Sequence, residues 1–331
     1  MVAAVTSARR WGLTALAAGV LALGVAGCAA PRDEPAVTPE PDGPAAFVLD
    51  EDLPDPDVLP DGDGFAAFAT GSGGLNIRVA RSDDLGSWTV ERRDALPKLP
   101  AWASTGRTWA PDVTAAGEEY RMYFTALHTD SGRQCIGVAT AASLDDDFVP
   151  ASDEPLVCPT EEGGAIDAST FDDQDGTRYL LWKTDGNCCA LDTWLMMAPL
   201  SPDGLALAGE PVRLLKQTLE WEGALVEAPV LVFRDGAYRL LYSANDYGGD
   251  AYAIGVASST ALEGPYEKQP EPLLSTPGSD GAFLGPGGQD VAATDDGDVL
   301  VFHGWDEQYI YRGLHARPIT WGDATAVDVA G

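Results

Sequence analysis

The stretch Val226-Glu227-Ala228-Pro229-Val230-Leu231-Val232-Phe233 is followed by Arg234-Asp235-Gly236 and then by Tyr238-Arg239-Leu240-Leu241-Tyr242-Ser243. Two runs of β-branched, aromatic and aliphatic residues that flank a Gly-containing turn predict a β-hairpin. The first run begins with an acid, Glu227. A carboxylate beside apolar neighbours is costly unless it points to water, has a partner or performs chemistry. For this stretch alone, a solvent-exposed acid explains the pattern as well as a functional one does.

The same pattern recurs along the chain and decides the fold. Each unit has a polar residue before an apolar strand, then a turn, then one or two further short strands, and the polar residues are Asp55, Asp112, Asp167, Glu227 and Gln289. They follow one another at intervals of about 60 residues. A period of this length, with three or four short strands per unit, is typical of a propeller blade. The sequence therefore predicts an all-β, five-bladed β-propeller whose core lies between neighbouring blades.

This geometry gives the polar residues a common place. The innermost strand of each blade runs along the propeller axis, so equivalent residues form a ring around one axial mouth. Carboxylates that converge in one funnel repel, and their pKa values separate. For Asp112 and Asp57 we favour a structural role, as strand-starting acids that form Asx turns and bind backbone N–H groups. For Asp55, Asp167 and Glu227 we favour a catalytic role.

Composition limits the classes of partner. The chain has 331 residues with a formal net charge of −32. A protein that binds nucleic acid or an anionic membrane surface carries a basic patch, so neither partner is expected. For the net charge itself we favour the simplest interpretation, which is an acidic surface exposed to solvent. We expect a monomer.

The N-terminus predicts an exported, lipid-anchored protein. Arg9 and Arg10 precede an apolar run that ends in Val25-Ala26-Gly27-Cys28. This ending resembles a bacterial lipobox, with residues 1–27 as signal peptide and Cys28 as the lipidated first residue. An ordinary secretory signal followed by a chance cysteine is the alternative. Residues 28–45 resemble a disordered tether, and residues 46–331 form the propeller domain. The expected location is the outer face of the cell membrane.

Four further cysteines follow, Cys135, Cys158, Cys188 and Cys189. In an exported chain they permit disulfides, and a zinc site is less favoured because paired C-x-x-C spacing is lacking. Cys135 and Cys158 flank one strand-turn-strand stretch and are the first expected pair. A bond between the adjacent Cys188 and Cys189 requires strain, so we expect each to bond elsewhere.

Several motifs together resemble glycoside hydrolase family 43, over roughly residues 48–322. They are Pro54-Asp55-Pro56-Asp57-Val58, Ser82-Asp83-Asp84-Leu85-Gly86-Ser87-Trp88, Trp109-Ala110-Pro111-Asp112, Ile166-Asp167 through Asp175-Gly176, and Glu227-Ala228-Pro229. The resemblance implies a five-bladed propeller glycosidase that inverts configuration. It implies Asp55 as general base, Glu227 as general acid, and Asp167 as the residue that orients the acid and raises its pKa.

The resemblance also implies further site residues. Arg312 matches a late arginine that contacts substrate, and Trp109 is the tryptophan expected to stack on a sugar. The last blade departs from the family, because Gly288 stands where a histidine often faces the axis near a metal or water. An axial calcium is therefore doubtful, although Gln289 could hold a water, and no cofactor or metal ligand is assigned. His303 is expected to pack within its strand.

The implied substrates are pentosides: α-L-arabinofuranosides, β-xylosides or arabinan. Subsite shape is expected to depend on residues 96–108, 183–194 and 244–252. Inversion predicts roughly 6.5–9.5 Å between the Asp55 and Glu227 carboxyl groups. Two alternatives are a non-catalytic, lipid-anchored propeller that captures oligosaccharides, and a retaining glycosidase with carboxyl groups about 5 Å apart.

Overall fold

Five antiparallel sheets follow one another along the chain in the computed structural model, which describes residues 44–322 and 327–329. Each sheet is a meander of at least four strands, so the predicted five-bladed β-propeller is confirmed. Within the described residues, helical structure is limited to three 3₁₀ turns, at Thr160–Glu162, Gly186–Cys189 and Glu220–Glu222. The predicted signal peptide, Cys28 and nearly all of the tether lie outside the described residues.

The strands of the first three blades are as follows. Blade 1 contains β1 (Asp57–Asp61), β2 (Gly64–Thr70), β3 (Ile77–Ser82) and β4 (Thr89–Val90). Blade 2 contains β5 (Ala103–Ala116), β6 (Glu119–His128), β7 (Arg133–Ala141) and β8 (Val149–Pro150). Blade 3 contains β9 (Ala165–Asp172), β10 (Arg178–Thr184), β11 (Trp194–Pro199) and β12 (Val212–Lys216).

The last two blades follow the same order. Blade 4 contains β13 (Val226–Arg234), β14 (Ala237–Ala244), β15 (Ala253–Ser259), β16 (Glu267–Lys268) and β17 (Leu274–Ser275), and both β16 and β17 pair with β15. Blade 5 contains β18 (Leu284–Thr294), β19 (Gly297–Trp305), β20 (Arg312–Trp321) and β21 (Val327–Val329). Within the described residues, no helix is long and apolar enough to cross a membrane.

The hairpin predicted around Glu227 is formed by β13 and β14. Arg234 pairs with Ala237, so the turn has two central residues, Asp235 and Gly236. Both have positive φ, 52° and 76°. An Asp-Gly pair with two positive φ values is the turn that matches the twist of a hairpin.

The hydrophobic core is divided among the interfaces between blades, as predicted. Each of the five buried clusters joins two neighbouring blades. Representative pairs are Phe68 with Phe124, Tyr123 with Trp182, Leu181 with Leu240, Leu241 with Phe302, and Val58 with Val301. Because a fully buried aliphatic or aromatic side chain contributes about 1.5–3 kcal/mol, these contacts hold each sheet against its neighbours.

Both ends of the described chain close the ring in blade 5. Leu49 forms an antiparallel bridge with Leu314 in β20. Further along the same strand, Ile319 pairs with Val329 in β21. Ala45 also donates its N–H to the Ala282 carbonyl oxygen. The first described residues are therefore tied to the last blade.

The cysteines confirm one expectation and correct another. Cys135 and Cys158 are bonded, as expected. The expectation that Cys188 and Cys189 bond elsewhere is wrong, because they are bonded to each other. The 3₁₀ turn Gly186–Cys189 holds this pair, and the other two described thiols are already used.

Candidate active site

One backbone feature recurs at the start of all five blades. A residue in the left-handed region interrupts the innermost strand or immediately precedes it, with φ between 35° and 57°: Asp55, Ala110, Asp167, Ala228 and Gly288. In blades 2 to 5 the strand register shifts at this point, as in a β-bulge. Bulges re-aim neighbouring side chains, so this feature sets the direction of the side chains beside it in each blade.

Side chains of the preceding blade fix these bulges. The backbone N–H of each left-handed residue donates to a side chain one blade earlier: Asp55 to His303, Ala110 to Thr70, Asp167 to Thr125, Ala228 to Asp167 and Gly288 to Ser243. Because buried backbone N–H groups require acceptors, the positions of the site residues depend on contacts between blades.

The predicted ring is out of register in three of its members. Asp55 and Asp167 are left-handed residues, whereas Asp112 lies two residues after Ala110. Glu227 lies one residue before its equivalent, and Gln289 one residue after. A repeat signal could have set the register, because a proline follows the left-handed residue in three blades, at Pro56, Pro111 and Pro229.

A second set of acids lies two residues further along the strands. Asp57 accepts the N–H of Val113, Asp112 accepts that of Thr170, and Asp290 accepts that of Val58. Each acid therefore holds the innermost strand of the next blade, so the structural role favoured for Asp57 and Asp112 involves backbone N–H groups of another blade. Burial is the largest cause that raises the pKa of all three.

The three acids favoured for catalysis share one cleft. It has a volume of about 1460 Å³, open solvent included, and Asp55, Asp167 and Glu227 all line it. They come from blades 1, 3 and 4. Residues of the segments 183–194 and 244–252 also line the cleft, as expected, whereas none of the lining residues comes from 96–108.

Asp55 is held on both sides. The Thr70 hydroxyl donates to Asp55 Oδ2 at 2.6 Å. Asp55 Oδ1 lies 3.7 Å from Arg312 Nη1. The backbone N–H of Asp55 donates to His303 Nδ1 at 3.1 Å. Burial, reinforced by the charge of Arg312, lowers the pKa of His303 well below its usual value, so the ring is a neutral acceptor.

Glu227 is also held at both oxygens. Tyr252 donates its hydroxyl to Oε1 at 2.8 Å, and Lys183 donates from Nζ to Oε2 at 2.9 Å. Asp167 Oδ2 accepts the N–H of Ala228, the residue after Glu227, at 3.0 Å. Burial, followed by the charge of Glu227, raises the pKa of Asp167 well above its usual value. Asp167 is thus connected to Glu227 through the backbone and through charge.

The residues expected to bind substrate occupy different places. Trp109 is half-buried and lines the cleft. Arg312 lines it as well, with its guanidinium 5.1 Å from the ring centre of Tyr247. Gln289 is buried on the narrower axial cavity instead. Its amide is used between blades, because it accepts from the Ser243 hydroxyl and donates to the Ala228 carbonyl oxygen.

The residues around the axis do not supply the histidine that the family often places there near a metal or water. A Cβ added to Gly288 would lie 2.5 Å from the His303 ring and 2.6 Å from Asp55 Oδ1, so a histidine has no room there. The carboxylates of Asp57, Asp112 and Asp290 on the axis accept backbone N–H groups. We therefore derive no catalytic step from a metal.

Four residues of the site carried no clear sequence signal. Thr70, Lys183, Tyr252 and His303 each contact Asp55 or Glu227. Each lies within or beside an apolar strand, and His303 is 248 positions from Asp55. Gly287 leaves room for the Tyr252 ring, since a Cβ there would lie 2.0 Å from it, but a glycine alone does not reveal this contact in the sequence.

Comparisons with known proteins show which family the chain resembles over most of its length. The sequence model of Glycosyl hydrolases family 43 matches residues 46–326. Extracellular endo-alpha-(1->5)-L-arabinanase 1 of Bacillus subtilis is 28% identical over 284 residues, which cover 79% of this chain and 83% of that protein. Beta-D-galactofuranosidase xynD of Aspergillus niger is 27% identical over 261 residues, 76% of this chain and 71% of that protein. The crystal structure of a thermostable family-43 glycoside hydrolase is 27% identical with a TM-score of 0.74, over 84% of this chain and 93% of that chain.

Proposed function

The chain belongs to glycosyl hydrolases family 43 and is an O-glycosyl hydrolase, and we propose that it cleaves pentose-containing plant polysaccharides or oligosaccharides with inversion of configuration. Its substrates on this proposal are α-L-arabinofuranosides, β-xylosides or arabinan. The observation that supports the proposal best is the convergence of Asp55, Asp167 and Glu227, from three blades, on one cleft.

Two carboxyl groups carry out the acid and base catalysis of the reaction. Glu227, when protonated, donates its proton to the leaving glycosidic oxygen. Asp55 removes a proton from a water that attacks the anomeric carbon from the opposite face of the sugar. The Thr70 hydroxyl at Oδ2 fixes the Asp55 carboxylate. One proton therefore enters the leaving group from Glu227, and one passes from the water to Asp55.

Asp167 is assigned a positioning role. Its Oδ2 holds the N–H of Ala228 and thereby fixes the strand that carries Glu227. Its carboxyl group is buried close enough to Glu227 for the charge of Glu227 to raise the pKa of Asp167. Repulsion between the two carboxylates favours the state in which the pair keeps a proton.

Substrate recognition is assigned to the aromatic and cationic wall. Trp109 offers an apolar face to a sugar ring, and Arg312 offers hydrogen bonds beside Asp55. Tyr247, 53% exposed at the rim, extends this wall. Similarity to an endo-arabinanase supports arabinan as the first polymer to test.

The test is hydrolysis of nitrophenyl pentosides and linear arabinan by residues 44–331, with Glu227→Gln and Asp55→Asn as variants. Each variant is expected to lose about 10²- to 10⁴-fold in kcat/KM on unactivated linkages while keeping its fold. Full turnover of an unactivated substrate by Glu227→Gln would contradict the acid assignment. Measurable oligosaccharide binding by folded protein without any hydrolysis would instead favour a capture propeller.

We further propose that the protein is exported and anchored through lipid on Cys28, as a monomer. Two relatives named extracellular arabinanases of Bacillus subtilis support export. Cys28→Ser is expected to move the protein from the membrane fraction to the soluble fraction. Retention of this variant in the membrane fraction would contradict the anchor.

We also propose that hydrolysis needs no added cofactor. The close contact between His303 and Gly288 supports this, because it leaves no room at position 288 for the histidine that the family often places near a metal or water. Activity is expected to be equal before and after treatment with EDTA. Loss of activity that calcium restores would contradict the proposal.

A further inference from the structure

A buried lysine lies inside the cleft, beside the carboxyl group assigned as the acid. Lys183 lies on β10 of blade 3 and its side chain is 1% exposed. Its Nζ is 2.9 Å from Glu227 Oε2 and 3.6 Å from Asp185 Oδ1. A buried ammonium carries a large desolvation cost unless anions compensate it. The surroundings of Lys183 therefore hold a charged ammonium in contact with the carboxyl group of Glu227.

The surroundings keep this lysine charged. Burial alone would lower the pKa of Lys183, but the carboxylates of Glu227, Asp167 and Asp185 outweigh burial and raise it. Glu227 receives one further hydrogen bond, from the Tyr252 hydroxyl, and burial raises the pKa of Tyr252 well above its usual value. The titratable and charged groups that line the cleft together with Glu227 are Asp167, Lys183 and Asp185 of blade 3, Asp246, Tyr247 and Tyr252 of blade 4, Asp55 of blade 1 and Arg312 of blade 5.

This contact bears on the moment of proton donation. A general acid becomes a carboxylate as its proton passes to the leaving oxygen. A fixed cation at hydrogen-bond distance stabilises that charge as it develops, and it does so strongly in a site with little water. Asp167 acts in the opposite direction, because its own charge opposes a second carboxylate nearby. Glu227 thus lies between a cation that favours release of the proton and an anion that opposes it.

We propose that Lys183 is a positioning residue for the acid: its ammonium fixes one oxygen of Glu227 and compensates the negative charge that develops there during cleavage. The inference rests on the proposed function, in which Glu227 is the acid. It assigns this role to Lys183 because Arg312, the other cation among the residues that line the cleft, contacts Asp55 instead. Lys183 itself transfers no proton.

The experiment compares Lys183→Met and Lys183→Arg with the parent on two substrates, across pH. One substrate has an alkoxide leaving group, such as an arabino-oligosaccharide, and the other is a 2,4-dinitrophenyl pentoside that needs little protonation. Lys183→Met is expected to lose about 10²-fold in kcat on the first and far less on the second. The basic limb of its kcat/KM profile is expected to move to higher pH, because the carboxyl keeps its proton longer without the cation. Lys183→Arg keeps the charge, so the basic limb of its kcat/KM profile is expected to lie at the same pH as in the parent.

Two further variants sharpen the comparison. Asp167→Asn is expected to move the basic limb to lower pH, since it removes the opposing charge. Lys216→Met is the matched control, because Lys216 lies in the same blade but pairs with Asp192 and is 33% exposed. We expect its rate and pH profile to equal those of the parent.

A Lys183→Met protein that folds and keeps the basic limb of the parent would overturn the inference, even if its rate falls. If this variant does not fold, Lys183→Gln replaces it, which keeps a hydrogen-bond donor but no charge, and the same criterion applies. Failure of the proposed function has a different signature. In that case Glu227→Gln itself would keep full activity on the oligosaccharide.

Discussion

At the scale of single residues, the placement of the base depends on partners far away in sequence. His303 was expected to pack within its strand, and it is fully buried. It also accepts the N–H of Asp55, 248 positions away, and stacks on Tyr252 with ring centres 5.9 Å apart. The family resemblance points to Asp55, Asp167 and Glu227. It does not point to the contact between Asp55 and His303, because a contact between the first and the last blade leaves no periodic signal in the sequence.

We predict that His303→Ala lowers kcat by at least about tenfold while KM changes less than about threefold. The change removes the acceptor that holds Asp55 in its left-handed conformation and leaves a buried N–H unpaired. Steady-state kinetics measure the effect.

His303→Asn supplies a side-chain oxygen near the position of Nδ1, and we expect it to recover part of kcat. His128→Ala, which changes a histidine outside the cleft, is the control. An unchanged kcat in folded His303→Ala would show that Asp55 does not need this partner.

At the scale of strands, the pattern of the sequence determines more. The hairpin at Glu227 was predictable from its apolar runs and its Asp-Gly turn. The register of the ring could have been predicted from the proline that follows the left-handed residue in three blades, at Pro56, Pro111 and Pro229, whereas the acidic residues alone indicate a different register. Asp112, which lies two residues after the left-handed Ala110, therefore joined Asp55 in the prediction but belongs with Asp57 and Asp290 in the structure.

The burial of Asp112, one of the acids that hold a strand of the next blade, predicts a pH dependence of stability. Burial raises the pKa of Asp112 to about 7. An unfolded Asp titrates near about 3.9. Between these values the folded protein holds a proton that the unfolded chain has released, so the contribution of this group to stability is full below about pH 4 and is lost as pH rises toward 7.

We predict that Asp112→Asn lacks this loss. Relative to the parent, its free energy of unfolding is expected to improve by about 1 kcal/mol or more between pH 4.5 and pH 7. Denaturant unfolding at the two pH values measures the difference. If the free energies of unfolding of variant and parent differ by the same amount at both pH values, Asp112 is not the titrating group.

The two disulfides predict different effects on stability. The Cys135–Cys158 bond closes a loop between residues 23 positions apart. Replacing both residues with Ser is expected to cost about 3 kcal/mol, because the unfolded chain regains the entropy of that loop.

The adjacent Cys188–Cys189 pair is the matched control, since it closes no loop of comparable length. Replacing both with Ser is expected to change stability much less. Thermal unfolding of the two double variants makes the comparison, and equal losses would contradict the loop argument.

At the scale of the whole molecule, the fold was predictable because it is a repeat. Five similar units at nearly equal spacing require five similar sheets, and the clusters between blades confirm the predicted core. Closure of the ring through Leu49 and Leu314 was not predictable, since it joins the two ends of the propeller by backbone pairing. The bond between Cys188 and Cys189 also depends on a local turn that the sequence did not reveal.

In the proposed mechanism, Asp55 and Glu227 act on opposite faces of the sugar, and the attacking water lies on the side of Asp55. The most direct test is proton NMR of the first sugar released from a cleaved pentoside, recorded before the anomers interconvert. We predict release of the inverted anomer, β-L-arabinofuranose from an α-L-arabinofuranoside or α-D-xylose from a β-D-xyloside. Release of the retained anomer would contradict it, because a carboxylate would then act as the nucleophile instead of activating water.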